Sequence, residues 1–502
     1  MQESHPSTPA KRSRIVVPSR SDALLSKMTE VAGGPLGRHT APGSVDPGFF
    51  TVERVLVVLV VVSAFVALLF KFHCREAGWT TPDQYSTTCW SAIPNTFADK
   101  NLAELFPFFS PGSTFDAPPL AGILAGATAW LTVPAGTGAV RQLAFFDLNA
   151  ALLTAAWLVA VLAMARSMRR RPWDAAMLAA SPLLLFAAFS SWDLWAVALV
   201  AVGLGLFARK RTFAAGAVLG LASGVQPYAL LVVVVIVLLA LRGGTLVRAL
   251  ETTAAAALGW LVPVLAVLVA NPPAWTAFIS NGVNAEPAPS SIYGAWNLVA
   301  VRLGLAPMEV AAANTVQLVL LIVCAALVAT LALGAARRPR VGQLAFLLVA
   351  AYTLTDKHAA PEQALWLLPL LALAHPKWRT MLLWQLAAVL HYLALLLFQG
   401  LERGDGNAQH SIDMPYFVLA ALAYGLATIA VMGVVVRDIL RPDFDVVRRA
   451  GADDPQGGVL EFAPDVLALR PGRHSGHAPE ARLPLNAGDN ESAASPAQGE
   501  HP

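Results

Sequence analysis

Val55-Leu56-Val57-Val58-Leu59-Val60-Val61-Val62-Ser63-Ala64-Phe65-Val66-Ala67-Leu68-Leu69-Phe70 is an apolar run without a single charge. A run of this kind approaches the roughly 20 residues that a helix needs to cross a bilayer. It begins too far into the chain for an ordinary cleaved signal peptide, so it reads as a retained signal anchor. The chain beyond it repeats the pattern. Of its 502 residues 56% are hydrophobic and 13% charged, with a mean hydropathy of +0.58. Soluble domains carry about 25% charge, so much of this chain is solvated by lipid.

Apolar runs at 54–71, 142–165, 173–190, 191–208, 213–227, 228–241, 248–270, 312–335, 341–355, 361–375, 379–399 and 414–436 predict an all-α membrane fold. The expected architecture is a polytopic bundle of about twelve transmembrane helices. With the N-terminus inside, six basic clusters fall on the cytoplasmic side: Arg166–Arg171, Arg209–Arg211, Arg242–Arg248, Arg337–Arg340, His375–Arg379 and Arg437–Arg441. This is the bias the positive-inside rule describes. It holds only if Pro119–Val133 is re-entrant or interfacial rather than a crossing. The organisation expected is a disordered cytoplasmic tail over 1–53, the membrane domain over 54–440, and a mostly disordered cytoplasmic tail over 441–502. The setting expected is the plasma membrane, with both termini cytoplasmic.

The net charge of +3 carries no nucleic-acid signal. No Cys/His spacing resembles a metal site, and no Walker-type glycine loop or internal repeat is present, so no metal, cofactor or ATP hydrolysis is expected. Cys74 and Cys89 share the first outer loop, where an oxidising exterior permits a disulfide. Cys324 lies in an apolar run and reads as packing.

Three loops of substance face outward, at 72–141, 271–311 and 400–413, and the polar residues of the spans gather on the same side. Ser190-Ser191-Trp192-Asp193 puts a carboxylate near the hydrocarbon boundary, where it either caps a helix or marks a site. Asp356, Lys357, His358 and Glu362 place four titratable groups within seven residues. Lys357 and His358 suit a phosphate; the other reading is a solvated turn in which Asp356 and Lys357 neutralise each other. Asp116, held by Pro118 and Pro119, suits a general base toward a hydroxyl or is an ordinary turn residue. Asp147, near the outer end of its span, is a further intramembrane carboxylate. Gln226-Pro227-Tyr228 completes the set.

Four stretches resemble one known family: Cys89-Trp90-Ser91-Ala92-Ile93-Pro94 with Asp116–Gly122; Trp192-Asp193-Leu194 with Gly216–Tyr228; Thr355–Trp366 with Leu367–Leu370; and Arg437–Pro442 with Asp453–Gly458. In that order and spacing the chain resembles actinobacterial integral-membrane glycosyltransferases of the family-87 type, relatives of the polyprenyl-phosphomannose-dependent mannosyltransferases with the GT-C fold. The resemblance implies transfer of a hexosyl unit from a polyprenyl phosphate to an envelope glycan or glycolipid at the outer face. It implies an acid in the first outer loop as base and cationic groups on the lipid phosphate. Asp116 then activates the acceptor and Asp193 orients a substrate. Lys357 and His358 hold the phosphate, with Asp356, Trp192, Gln226 and Tyr228 completing the binding set. The sequence departs from the family pattern where Ala92 replaces an acid, Gln226 a lysine, Ser191 an asparagine and Asp116 a glutamate. Two other readings remain open: a transporter or flippase for a polyprenyl-linked or small solute, and a non-catalytic envelope-assembly member of the same fold.

Overall fold

A computed structural model of the protein describes residues 15–31, 51–404, 411–449 and 453–469. The described residues form helices and connecting turns, with no strand among them. Six helices are long and apolar enough to cross a membrane: Val52–Phe70, Gly138–Ser167, Leu246–Ala270, Val310–Gly334, Trp378–Arg403 and Met414–Leu440. Their outward flanks are apolar, as Val58, Phe65, Leu318, Ile322 and Leu426 show. The protein is a helical membrane protein.

Five further apolar runs form shorter helices: Asp193–Ala208, Thr212–Ser223, Ala229–Gly243, Val341–Thr355 and Ala364–Ala374. At 1.5 Å per residue such helices span roughly 16–24 Å, less than a hydrocarbon core of about 30 Å. Much of their surface is buried within the bundle. Nearly every residue of Val341–Thr355 and all of Ala364–Ala374 lie inside the bundle. The segment between the first two long helices adds Pro119–Leu131, a 13-residue helix with proline at its first turn.

The run at 173–190, expected as one span, is broken into Pro172–Ala175, Ala176–Ala179 and Pro182–Ala187. Pro182 lacks the N–H a continuous helix needs. Ser181 turns extended, and its hydroxyl accepts from Leu184 N at 3.3 Å. The Gln385 side-chain oxygen accepts from Leu183 N at 3.2 Å and from the Ser181 hydroxyl at 2.7 Å. A neighbouring helix thus satisfies the groups freed by the break.

Small residues set the closest helix contact. A Cβ at Gly216 would lie 2.1 Å from the Thr252 carbonyl oxygen, and one at Gly220 2.0 Å from that of Ala256. The Thr212–Ser223 helix therefore lies almost backbone to backbone on Leu246–Ala270, the contact that small residues four apart permit. This seam fixes where the following turn, Gly224 to Tyr228, emerges.

The two ends of the bundle differ. At the end carrying the basic clusters, Arg340 is fully buried against Asp445 (2.8 Å) and also donates to the carbonyls of Leu373 and Ala374, both at 2.7 Å. Val341 N donates to Asp454 at 3.0 Å, Arg242 pairs with Asp465 at 2.7 Å, and Arg169 with Glu461 at 2.5 Å. Residues 441–449 and 453–469 are therefore folded onto this end, a correction to the disordered tail expected there. The ordering comes from buried arginines that need carboxylates, which composition alone does not reveal. Residues 15–31, expected within the N-terminal tail, likewise pack here: Val16 N donates to the Arg170 carbonyl at 2.7 Å and Asp22 accepts from Trp378 N at 3.2 Å. The expected tail segments 1–14, 32–50, 450–452 and 470–502 lie outside the described residues.

Candidate functional site

At the opposite end, Asp193 opens the Asp193–Ala208 helix and is buried. One carboxylate oxygen accepts from the Trp366 indole at 2.9 Å, the other from the Ser191 hydroxyl at 2.5 Å. The Gln226 side chain also bonds to it. Tyr228 stacks on Trp366 with ring centroids 4.7 Å apart, and its buried hydroxyl has no hydrogen-bond partner among the described residues. Trp192 donates to Asn149 at 2.9 Å, which ties this turn to the Gly138–Ser167 helix. Four of the residues expected in a site, Trp192, Asp193, Gln226 and Tyr228, thus form one cluster around a carboxylate held only by neutral donors.

Lys71 belongs to the same cluster. It stands one residue past the Val52–Phe70 helix and is only 1% exposed. Its ammonium donates to the Trp90 carbonyl at 2.7 Å and to the Ser190 hydroxyl at 3.3 Å, and Ser190 in turn meets the Tyr392 hydroxyl at 2.6 Å. Burial pushes the lysine down to about 7, with the nearby Glu362 carboxylate acting against it. The sequence reading missed Lys71. The available signal was a lysine at the outer end of a span, against the charge bias of the rest of the chain.

Glu362 is buried, and Gln363 beside it links this cluster to a second one. Asp356 accepts from the Gln363 side chain at 2.9 Å and from His358 N at 3.0 Å. The Lys357 ammonium does not neutralise Asp356. It donates to the carbonyls of Val283 and Ala285, at 2.6 and 3.0 Å. Burial holds Lys357 below the ordinary lysine range, while Asp356 pulls it back up. Lys357 and exposed His358 help line a cleft of about 370 Å³ between Pro272–Asn284 and Val310–Gly334, with Asn314 and Gln317 as its other polar side chains. Phe278, Ile279, Leu318 and Leu321 make its walls apolar. An ammonium and an imidazole in a largely apolar cleft can hold an anion that carries a hydrocarbon chain.

Asp116 stands apart from both clusters. It is largely exposed, and its carboxylate pairs with Lys100 at 2.9 Å. The helix that follows is docked on the first cluster's turn, since Leu120 N donates to the Gly224 carbonyl at 2.9 Å. The segment after Leu246–Ala270 joins the one before Gly138–Ser167 where the Asn271 side chain donates to the Phe108 carbonyl at 2.8 Å. Cys74 and Cys89 are joined in a disulfide. Asp147 is bound by Arg75 at 2.7 Å, a structural pairing. Ala92 is half-buried, and its N–H donates to the Ser190 carbonyl at 2.8 Å, beside the hydroxyl that Lys71 contacts. No group of three potential metal-ligating side chains occurs among the described residues.

No protein-family model matches this chain, and no curated protein does either.

Proposed function

We propose that this protein is an integral-membrane glycosyltransferase that moves a hexosyl unit from a polyprenyl phosphate to a glycan or glycolipid acceptor. The observation that carries this reading is the largely apolar cleft that Lys357 and His358 help to line. A polyprenyl chain fits the apolar walls, and its phosphate fits the ammonium and imidazole. The cleft borders the Val310–Gly334 helix, whose flank is among the most exposed of the long helices, so a lipid can enter sideways. In this reading the bundle crosses the plasma membrane twelve times with both termini in the cytoplasm, and the two clusters lie at the extracytoplasmic face.

In the transfer step the acceptor oxygen forms a bond to the sugar's anomeric carbon. The bond from that carbon to the phosphate oxygen breaks, and polyprenyl phosphate leaves with the electron pair. The acceptor's proton passes to a carboxylate. We assign that task to Asp116, exposed on a proline-restrained loop whose following helix docks on Gly224, although it stands apart from both clusters, and to Asp193 the orienting of a substrate hydroxyl. Lys357 and His358 stabilise the charge building on the departing phosphate, a contribution that is large in a water-poor site.

The test supplies membranes containing the protein with radiolabelled polyprenyl-phosphate hexose and extracts lipids and glycans for counting. Label should enter a lipid or glycan product, and Asp116→Ala should sharply cut that incorporation. No incorporation above membranes lacking the protein sinks the reading. A second reading, a non-catalytic member of the same fold, is favoured by Ala92, which puts a methyl group beside Ser190 where the related pattern has an acid. Transfer gained by Ala92→Asp, from an inactive starting protein, would support it.

A further inference from the structure

A second cleft lies at the basic end of the bundle, away from the residues discussed above. It encloses about 530 Å³ between the Ala23–Val31 helix, the start of the Trp378–Arg403 helix and the Val446–Arg449 turn. Five cations line it: Lys27, Arg171, Lys377, Arg379 and Arg449. Two of them are engaged. Arg171 pairs with Asp174 at 2.6 Å, and Arg449 donates to the Asp443 carbonyl. The side chains of Lys27, Lys377 and Arg379 make no hydrogen bond or ion pair among the described residues. The cleft's one carboxylate, Asp22, is turned to backbone N–H groups, those of Leu24 (3.0 Å), Leu25 (3.2 Å) and Trp378 (3.2 Å).

Lys27 and Arg379 are exposed and Lys377 is half-buried, and with no carboxylate bonded to any of the three among the described residues the cleft presents a positive lining to an anion. The volume suits a small charged group. Ala23, Leu24, Pro376 and Val446 add an apolar side to the lining. We propose that this cleft binds a phosphate ester, with Lys27, Lys377 and Arg379 as its cationic contacts. Basic pockets at the end of a transmembrane bundle meet such a group in anionic lipids, and a soluble phosphate ester offers the same chemistry. The proposal is independent of glycosyl transfer: it concerns residues at the other end of the molecule.

The experiment reconstitutes the full chain in phosphatidylcholine nanodiscs with and without phosphatidylglycerol and follows its thermal unfolding. A parallel arm titrates glycerol phosphate and inorganic phosphate onto the protein in neutral nanodiscs. Phosphatidylglycerol should raise the melting temperature. In Lys377→Ala/Arg379→Ala, apparent affinity should fall about fivefold for each cation removed. Lys27→Ala, on a separate short helix, should lose about fivefold alone, which guards against a misfolded double variant. Arg209→Ala/Lys210→Ala, at the same end but outside the cleft, should bind as the parent does. Stabilisation by the soluble phosphates, lost in the same variants, supports the site with a soluble occupant. Equal response in the cleft variants and the parent, or no response to any phosphate, overturns the proposal.

Discussion

The two ends of this bundle handle buried charge in opposite ways. At the basic end a buried cation has a carboxylate: Arg340 has Asp445 and Arg242 has Asp465. At the opposite end, Lys71, Asp193, Asp356, Lys357 and Glu362 are all buried, and none is in an ion pair among the described residues. Their partners are hydroxyls, amides, an indole and carbonyls. A buried charge without a counter-charge is costly. Pairing at one end builds the fold; its omission at the other leaves charge available to a ligand.

The contrast can be broken first at Arg340. Arg340→Ala strands Asp445 and should cost about 3–5 kcal/mol, as removing half of a buried pair does. Thermal melts in detergent should show a collapse, and a near-parental melting temperature would break the comparison at its strongest point. Next in size is Lys357→Ala. It should lower transfer on the order of 100-fold, the scale for removing a group that stabilises developing charge, with little change in melting temperature. A loss of stability like that of Arg340→Ala would make Lys357 structural and erase the distinction between the ends.

Lys71 sharpens the comparison through pH. Its proton is lost near 7 in the fold, against 10.5 for an ordinary lysine. Between those values the unfolded chain holds more protons, so stability should rise with pH across that window. A function needing the ammonium runs the other way and should fall as pH climbs through 7. Lys71→Arg keeps the charge and should flatten that decline. An unchanged pH profile would remove Lys71 from the working set. The smallest effect is expected at Lys100→Ala. Its pair with Asp116 is exposed and worth less than about 1 kcal/mol, so stability should hardly move.

Legibility followed chemistry. Runs such as 54–71 and 414–436 were readable because an apolar helix announces itself over its whole length, and the structure has Val52–Phe70 and Met414–Leu440 there. The break at Ser181-Pro182 was not, since Gln385, more than 200 residues away, supplies what the backbone loses there. The Asp193 cluster was half legible: Trp192, Gln226 and Tyr228 were named, while Lys71 and Trp366 join only through tertiary contacts. Ordering of 453–469 was hidden for the same reason, because Asp454, Glu461 and Asp465 look like tail residues until their partners are known.

Arg340 has one more consequence, for the time at which the protein becomes itself. Asp445 follows it by 105 residues. At about 5–20 residues per second, a ribosome makes the aspartate roughly 5–20 s after the arginine. Until then the guanidinium has no carboxylate to close on, and the helices around it stay hydrated at that end. Insertion of the spans and closure of the bundle are therefore separate events in biogenesis, and the second waits for the last part of the chain to be made.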